Sequence, residues 1–483
     1  MKRNPRFVVA CAIAAVYVAA VGLPRLVASD LWQASGARPA TTASSANSMT
    51  IALTGDSIIT MKLSVHTDPA FTKMIDLIRG ADAAFTNLEM LFHDYEPYPS
   101  TQSGGTYMRA DPALAKELVW AGFDMVARAN NHANDYGVEG TRLTTKYVAE
   151  AGLVQAGVGD SLREAREARF LDTDKGRVAL ISTASTFPDP SRAGESWGDT
   201  KARPGLNPLR FRTTTVLTRQ QFDVLRNGLV GAGQLGRGGR GAQAAAGEAP
   251  TEMTAFGQRF VVGDKPEVRT EPVKADVDGM AAVVRDASKQ AEYVIVSSHT
   301  HEGGADRFNP PEFFVTFAHA MIDAGADIIT VSGPHVLRGI EIYKGRPIFY
   351  SLANFIFENE TLLRQPPENY EPLGMPPGSG VGEFNDRRSN NDTTGFPADP
   401  YIWESVIAVP RFVGKQLVEL KLYPISLGYK KPRPQRGWPT FANPELSRKI
   451  VDDVTKFSAR FGTKVEFKDG IGVVGVGAPR SND

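Results

Sequence analysis

The sequence predicts an α/β fold, and three observations carry that prediction. Short apolar, β-branched runs alternate along the chain with longer stretches of helical periodicity. Five of the short runs break off into Gly, Asn, Asp, Glu or His, as strands do when they end at a polar sheet edge. The composition, 42% hydrophobic and 22% charged over 483 residues, is that of a chain able to bury an ordinary globular core. Polar side chains at the carboxyl ends of strands matter because open α/β folds bind their ligands there.

The elements follow in order. Lys2, Arg3 and Arg6 precede an apolar run from Phe7 to Leu23. Residues 1–28 therefore read as an export signal, either cleaved after the small residues Val27-Ala28-Ser29 or retained as a membrane anchor closed by Arg25. The basic flank leaves the amino terminus in the cytoplasm and the rest of the chain outside it. The single cysteine, Cys11, lies within this run, so the exported part forms no disulfide. Residues 29–48, small and polar, read as a linker.

The folded body is expected from residue 49, with one domain over 49–430 and residues 431–483 as an extension packed on it. A first strand, Met49 to Leu53, ends in Thr54-Gly55-Asp56. A helix over Pro69 to Arg79 leads to a strand at Ala83 to Phe85, which ends in Thr86-Asn87-Leu88-Glu89. A helix over Pro112 to Ala121 precedes the strand Phe123 to Ala127. Next comes the densest polar run of the chain, Ala129-Asn130-Asn131-His132-Ala133-Asn134-Asp135-Tyr136-Gly137, and then a helix over Glu139 to Ala151. An insertion is expected over about 203–275. Its stretch Leu229 to Pro250 contains Gly231-Ala232-Gly233-Gln234-Leu235-Gly236, which has the spacing of a dinucleotide fingerprint without the strand and helix that give it meaning, so it reads as a disordered surface loop.

After a helix over Asp276 to Glu292, the strand Tyr293 to Val296 runs into Ser298-His299-Thr300-His301-Glu302. After a helix over Pro311 to Ala324, the strand Ile328 to Val331 runs into Ser332-Gly333-Pro334-His335. Residues 366–400, rich in Pro, Gly and Asn, read as a long loop of the kind that serves as a lid or binding loop. Strands at Ile402 to Pro410 and Gln416 to Leu422 and a helix at Pro444 to Phe461 complete the chain.

Carboxylates, amide carbonyls and neutral imidazoles bind hard or borderline divalent cations. With no cysteine in the body, a thiolate site is excluded. Singly, each residue has an ordinary explanation: Asp56 after Gly55 is a common turn pair, and an isolated His132 is more often structural than a ligand. His66, His93 and His319 stand apart from the polar strand ends and read as structural. The combination is informative, because four of the seven histidines fall in three of the strand-end segments. Lys plus Arg and Asp plus Glu both total 54, so overall charge gives no reason to expect nucleic acid as a partner.

Taken in order, Gly55-Asp56, Asn87-Leu88-Glu89, Asn130-Asn131-His132 through Gly137, Gly333-Pro334-His335-Val336-Leu337 and Ile348 through Phe355 resemble the capsule synthesis protein CapA family, over about Met49 to Phe357. The resemblance implies a calcineurin-like metallophosphoesterase fold, a sandwich of mixed β sheets flanked by helices. It also implies a site holding one or two divalent ions (Mn, Fe, Zn or Mg). By the same resemblance, Asp56, Glu89, Asn131, His299 and His335 match metal-ligand positions, and His132, with Asn131, matches the catalytic position. Asn130, Asp135, His301, Glu302 and Asn354 are further candidates.

Two departures stand out. Asp56 is followed by Ser57 and Ile58 where the pattern has a histidine, and Ser332 or Gly333 stands where the last motif begins with one. A one-metal site, or one completed by His301 or Glu302, is compatible with these changes. The function implied is work in capsule or poly-gamma-glutamate biosynthesis or export, with an anionic capsule polymer and membrane capsule-synthesis proteins as partners. Phosphoester hydrolysis on an envelope substrate and a non-catalytic scaffold are the alternatives.

Overall fold

The structure, a computed structural model, describes residues 48–233 and 249–476. The expected export segment, the linker up to residue 47 and most of the Gly-rich stretch lie outside the described residues. Among the described residues no helix is long and apolar enough to cross a membrane.

Two mixed sheets form the body. The larger runs in the order Val465–Lys468, Ile471–Val474, Gln416–Ser426, Glu404–Val413, Ser48–Ile58, Ala83–Leu88, Met125–Ala127 and Val154–Ala156. Asn354–Phe357 joins the carboxyl half of Ser48–Ile58 in parallel, on the edge opposite Ala83–Leu88, where Glu404–Val413 pairs the amino half. The smaller runs Ile340–Tyr343, Arg346–Phe349, Ile328–Ser332, Tyr293–His299, Gly176–Ala184 and Arg169–Thr173, parallel in its centre and antiparallel at both edges.

The two-residue period of a strand decides what each sheet face meets. Ile51, Leu53, Ala83 and Phe85 of the larger sheet pack against Val178, Leu180, Tyr293 and Ile295 of the smaller one. The intervening residues face the other way: Ala52 and Ala84 meet helix Pro69–Arg79, while Ala179, Ile181, Val294 and Val296 meet helices Lys274–Ala287 and Glu312–Ala324. The result is a helix–sheet–sheet–helix sandwich, an α/β fold as the alternation of elements predicts and layered as the family resemblance implies.

Helix Pro69–Arg79 shows how local chemistry sets an element. Asp68 caps it by accepting from the N–H groups of Ala70 and Phe71, and Pro69 starts it with a φ already suited to a helix. Phe71, Met74, Ile75 and Ile78, spaced on one face, are all buried. Each such side chain contributes about 1.5–3 kcal/mol on burial.

Two expected irregular regions are in part regular. Around the insertion, strands Phe211–Leu217, Glu252–Ala255, Gln258–Val262 and Glu267–Pro272 make a small sheet, backed by helix Arg219–Gly231 with Phe222 and Leu229 as its core. Leu229 to Gly231 thus belong to a helix and not to a disordered loop, while residues 234–248 of the low-complexity stretch lie outside the described residues. Within 366–400, Val381–Ser389 is helical, started by the Gly380 N–H donating to Glu383 and ended by Asn390 in the left-handed conformation. Its sequence is polar on most sides, so no apolar periodicity betrays it. Beyond residue 430, strands Ile471–Val474 and Val465–Lys468 extend the larger sheet, and helix Pro444–Ser458 buries Ile450, Val451 and Val454 against it.

Candidate metal centre

The carboxyl ends of parallel strands in both sheets converge on one cleft. Asp56 lies on Ser48–Ile58, in register with Asn87 on one side and Asn354 on the other. This close packing explains the glycine before it: a Cβ at Gly55 would collide with the Ala353 carbonyl, whose oxygen accepts from the Asp56 N–H at 2.9 Å. In the opposing sheet His299 ends its strand in register with Ser332.

Asp56 is fully buried. One of its oxygens accepts from Asn87 Nδ2 at 2.7 Å and the other from the Gly333 N–H at 2.9 Å, while His299 Nδ1 and His335 Nδ1 each lie 3.6 Å away. Burial pushes the carboxyl up, but the neighbouring His299 and His335 imidazoles and the Gly333 N–H together outweigh it and hold the group below the usual carboxylate range. Glu89 has no such support. It is fully buried, both oxygens lack a hydrogen-bond partner, and burial, reinforced by Asp56 and Asp135, pushes its carboxyl well above the usual range. Its Oε1 lies 3.6 Å from His299 Nε2 and 3.7 Å from His132 Nε2.

The four histidines of the strand-end segments are all at this cleft. His299 Nε2 and His301 Nε2 approach to 2.9 Å, and the rings of His301 and His335 meet edge to face with centroids 5.4 Å apart. Burial, then the neighbouring His299, His335 and His132, push His301 well below the ordinary imidazole value; burial lowers His335 too, against the pull of Asp56. His132 Nδ1 pairs with Asp135 Oδ2 at 2.6 Å. That carboxylate is held by backbone N–H groups of Met108 and Gly104, so the imidazole is oriented with Nε2 toward the cleft.

Two overlapping sets can hold a cation: Asp56, Glu89 and His299, and Glu89, His301 and His335. In each, one donor atom per residue lies within 4.8 Å of the others. The fit to a divalent ion rests on unused acceptors. Both Glu89 oxygens, Asn87 Oδ1 and Asn131 Oδ1 are buried without a hydrogen-bond partner, and a buried acceptor is costly unless something positive meets it. Hard oxygen and imidazole donors suit Mn, Fe, Zn or Mg.

The structure sorts the remaining candidates by what their polar atoms do. Asn131 donates to the Gly104 carbonyl and keeps Oδ1 free for a ligand. Asn130 spends its amide on the Leu88 carbonyl and the His132 N–H, and so positions its neighbours. Asn354 accepts from His335 Nδ1 at 2.8 Å, which leaves His335 Nε2 as the donor atom toward an ion. Glu302 accepts from Ser185 and Thr186 and anchors the turn after His299, outside both ligand sets. His93, His66 and His319 lie elsewhere: His93 contacts Tyr95 and Tyr136, His66 stacks on Trp438, and His319 bonds Glu341. Asn87 is the residue that the sequence reading underrates. It stands two positions before Glu89, and the same strand-end logic would have found it.

A family model described as Bacterial capsule synthesis protein PGA_cap matches residues 43–359. The chain belongs to this family. Two proteins of Sinorhizobium fredii, the uncharacterized proteins y4sH and y4uA, are each 35% identical to it over 443 residues, covering 88% of this chain and 92% of the relative. The Capsule biosynthesis protein CapA of Bacillus anthracis is 26% identical over 60% of this chain and 54% of its own length. The PGA biosynthesis protein CapA of Bacillus subtilis is 28% identical over 58% of each chain. The match to these two CapA proteins thus spans little more than half of their length.

Proposed function

We propose that this chain is an exported, metal-dependent member of the capsule synthesis family that acts on an anionic envelope polymer or its phosphate-ester precursor, alongside membrane partners. The observation that carries the metal-dependent part is Glu89: a fully buried carboxylate with two unpartnered oxygens, facing histidines from two strands and a second buried carboxylate. A purely structural cleft gains nothing from such a group. The two CapA relatives named for capsule and PGA biosynthesis support the polymer context.

Asp56, Glu89, His299 and His335, with Asn131, would hold the cation. A bound divalent ion supplies charge neutralisation and Lewis-acid polarisation of an ester oxygen. On the protein's side, His132, whose Nδ1 pairs with Asp135, would offer Nε2 to protonate a leaving oxygen; the pairing supports that role. Asn131 stands beside it with a free carbonyl oxygen.

The test is metal content per chain on the segment Met49 to Asp483, purified without chelator and exposed to Mn, Zn and Fe, followed by a screen of generic phosphodiesters and phosphomonoesters. Near-stoichiometric metal with Mn-dependent hydrolysis that disappears in a folded His132→Ala variant is the expected result. A folded protein without metal would refute the reading and leave a scaffold.

A further inference from the structure

The two strand ends of the smaller sheet make an exchange of space that the ligand sets alone do not reveal. Gly333 has a φ of +111°, and a Cβ built on it would lie 3.0 Å from His301 Cδ2, 3.1 Å from the Thr300 nitrogen and 3.2 Å from His299 Nε2. The volume that a side chain at 333 would enter is therefore taken up by the edge of the His301 imidazole, with the Thr300 nitrogen and His299 Nε2 beside it. The backbone that carries that ring is held from several directions. The His301 N–H donates to Thr186 Oγ1 at 2.9 Å, its carbonyl accepts from Arg338, and the next residue, Glu302, is fastened to Ser185 and Thr186. Gly333 meanwhile keeps its N–H on Asp56.

We propose that His301 is a metal ligand of this chain, reaching the centre through the space that Gly333 leaves empty, and that it completes the set Glu89, His301 and His335 next to the set Asp56, Glu89 and His299. Gly333 then has two duties: it adopts a backbone angle that other residues rarely reach, and it makes room for the ring. This accounts for the sequence departure at Ser332 and Gly333, since the donor missing from one strand end is supplied by the neighbouring one. The competing explanation is a plain hydrogen bond between His299 and His301. It leaves the Glu89 oxygens unmatched, whereas a cation held by either set would be met by Glu89, which belongs to both.

The inference rests on the metal reading proposed above, and the experiment separates the two. Wild type, His301→Ala, His301→Gln, Gly333→Ala and the control His319→Ala are loaded with Mn. Ions per chain are counted by elemental mass spectrometry, with circular dichroism confirming the fold. The expected result is loss of about one ion per chain, or at least a tenfold weaker affinity, in both His301 variants, with no change in His319→Ala. Gly333→Ala, whose methyl displaces the ring, is expected to lose the same ion, and the double variant with His301→Ala to lose nothing further. Wild type without metal would overturn the metal reading and this inference with it. Metal in wild type that is retained at the same count and affinity in both His301 variants would overturn the His301 assignment alone.

Discussion

Glu358 offers a prediction whose sign and size both follow from the structure. It stands just past the strand Asn354–Phe357 and fastens the chain that leaves Ser48–Ile58, the strand bearing Asp56. One carboxylate oxygen accepts from the N–H groups of Thr60 at 2.7 Å and Met61 at 2.8 Å, while the other is buried without a partner. Burial raises the carboxyl from 4.5 to about 7, against the pull of those two N–H groups. Because the folded value lies above the unfolded one, the folded state keeps its proton to higher pH. Stability from this group is complete below about pH 4.5 and is lost as pH rises toward 7. A gap from 4.5 to about 7, at about 1.4 kcal/mol per unit, is about 3 kcal/mol.

Glu358→Gln keeps an acceptor for Thr60 and Met61 but cannot ionise. Urea unfolding of wild type and variant, both with chelator, between about pH 4 and pH 8 should therefore show the variant gaining on wild type by roughly 3 kcal/mol across that range, with a plateau above it. A stability difference that stays constant with pH would refute the reasoning, because it would mean that Glu358 ionises in the folded protein as readily as in the unfolded one.

Other expectations concern the cleft and its packing. Asp135→Asn should lower any ester hydrolysis by between about 10²- and 10⁴-fold with metal content unchanged, and a loss below about tenfold would remove the His132–Asp135 pair from the chemistry. Asp56→Ala and His335→Ala should each lower bound metal, measured by elemental analysis, while the circular dichroism spectrum stays native; full stoichiometry in both would end their assignment as ligands. Gly55→Ala should destabilise by about 3 kcal/mol or more, because its methyl meets the Ala353 carbonyl in a paired strand that cannot move aside. Urea unfolding that places the Gly55→Ala variant within about 0.5 kcal/mol of wild type would show that the strands give way there.

Much of the architecture is written in short-range patterns. Pro69 to Arg79 reads as a helix because Asp68, Pro69 and the apolar spacing of Phe71, Met74, Ile75 and Ile78 are all local, and the structure places it on the same residues. The cleft-forming segments were legible for the same reason: a strand that carries Asp56 near its carboxyl end, ends at His299, or ends just before Glu89 or His335 exposes polar groups at a sheet edge. Helix Val381–Ser389 and the small sheet around Phe211–Leu217 were not legible. The first has no apolar stripe, and the second draws its pairing from segments separated by low-complexity sequence.

The sequence by itself determined the donor types available, the strand ends that carry them and the absence of any thiolate ligand. Tertiary structure decided which donors meet. Asp56 accepts from Gly333 across 277 residues of chain, a pairing set by strand order in two sheets and by no local pattern. It also decided between two near neighbours, His301 and Glu302, which sequence could not separate. The turn after His299 is tied to Thr186 and Ser185 in such a way that the imidazole faces Glu89 and His335 while the carboxylate is spent on the tie. One residue's step along the backbone reverses where a side chain lies, and only the packing around that turn fixes which of the two reaches the centre.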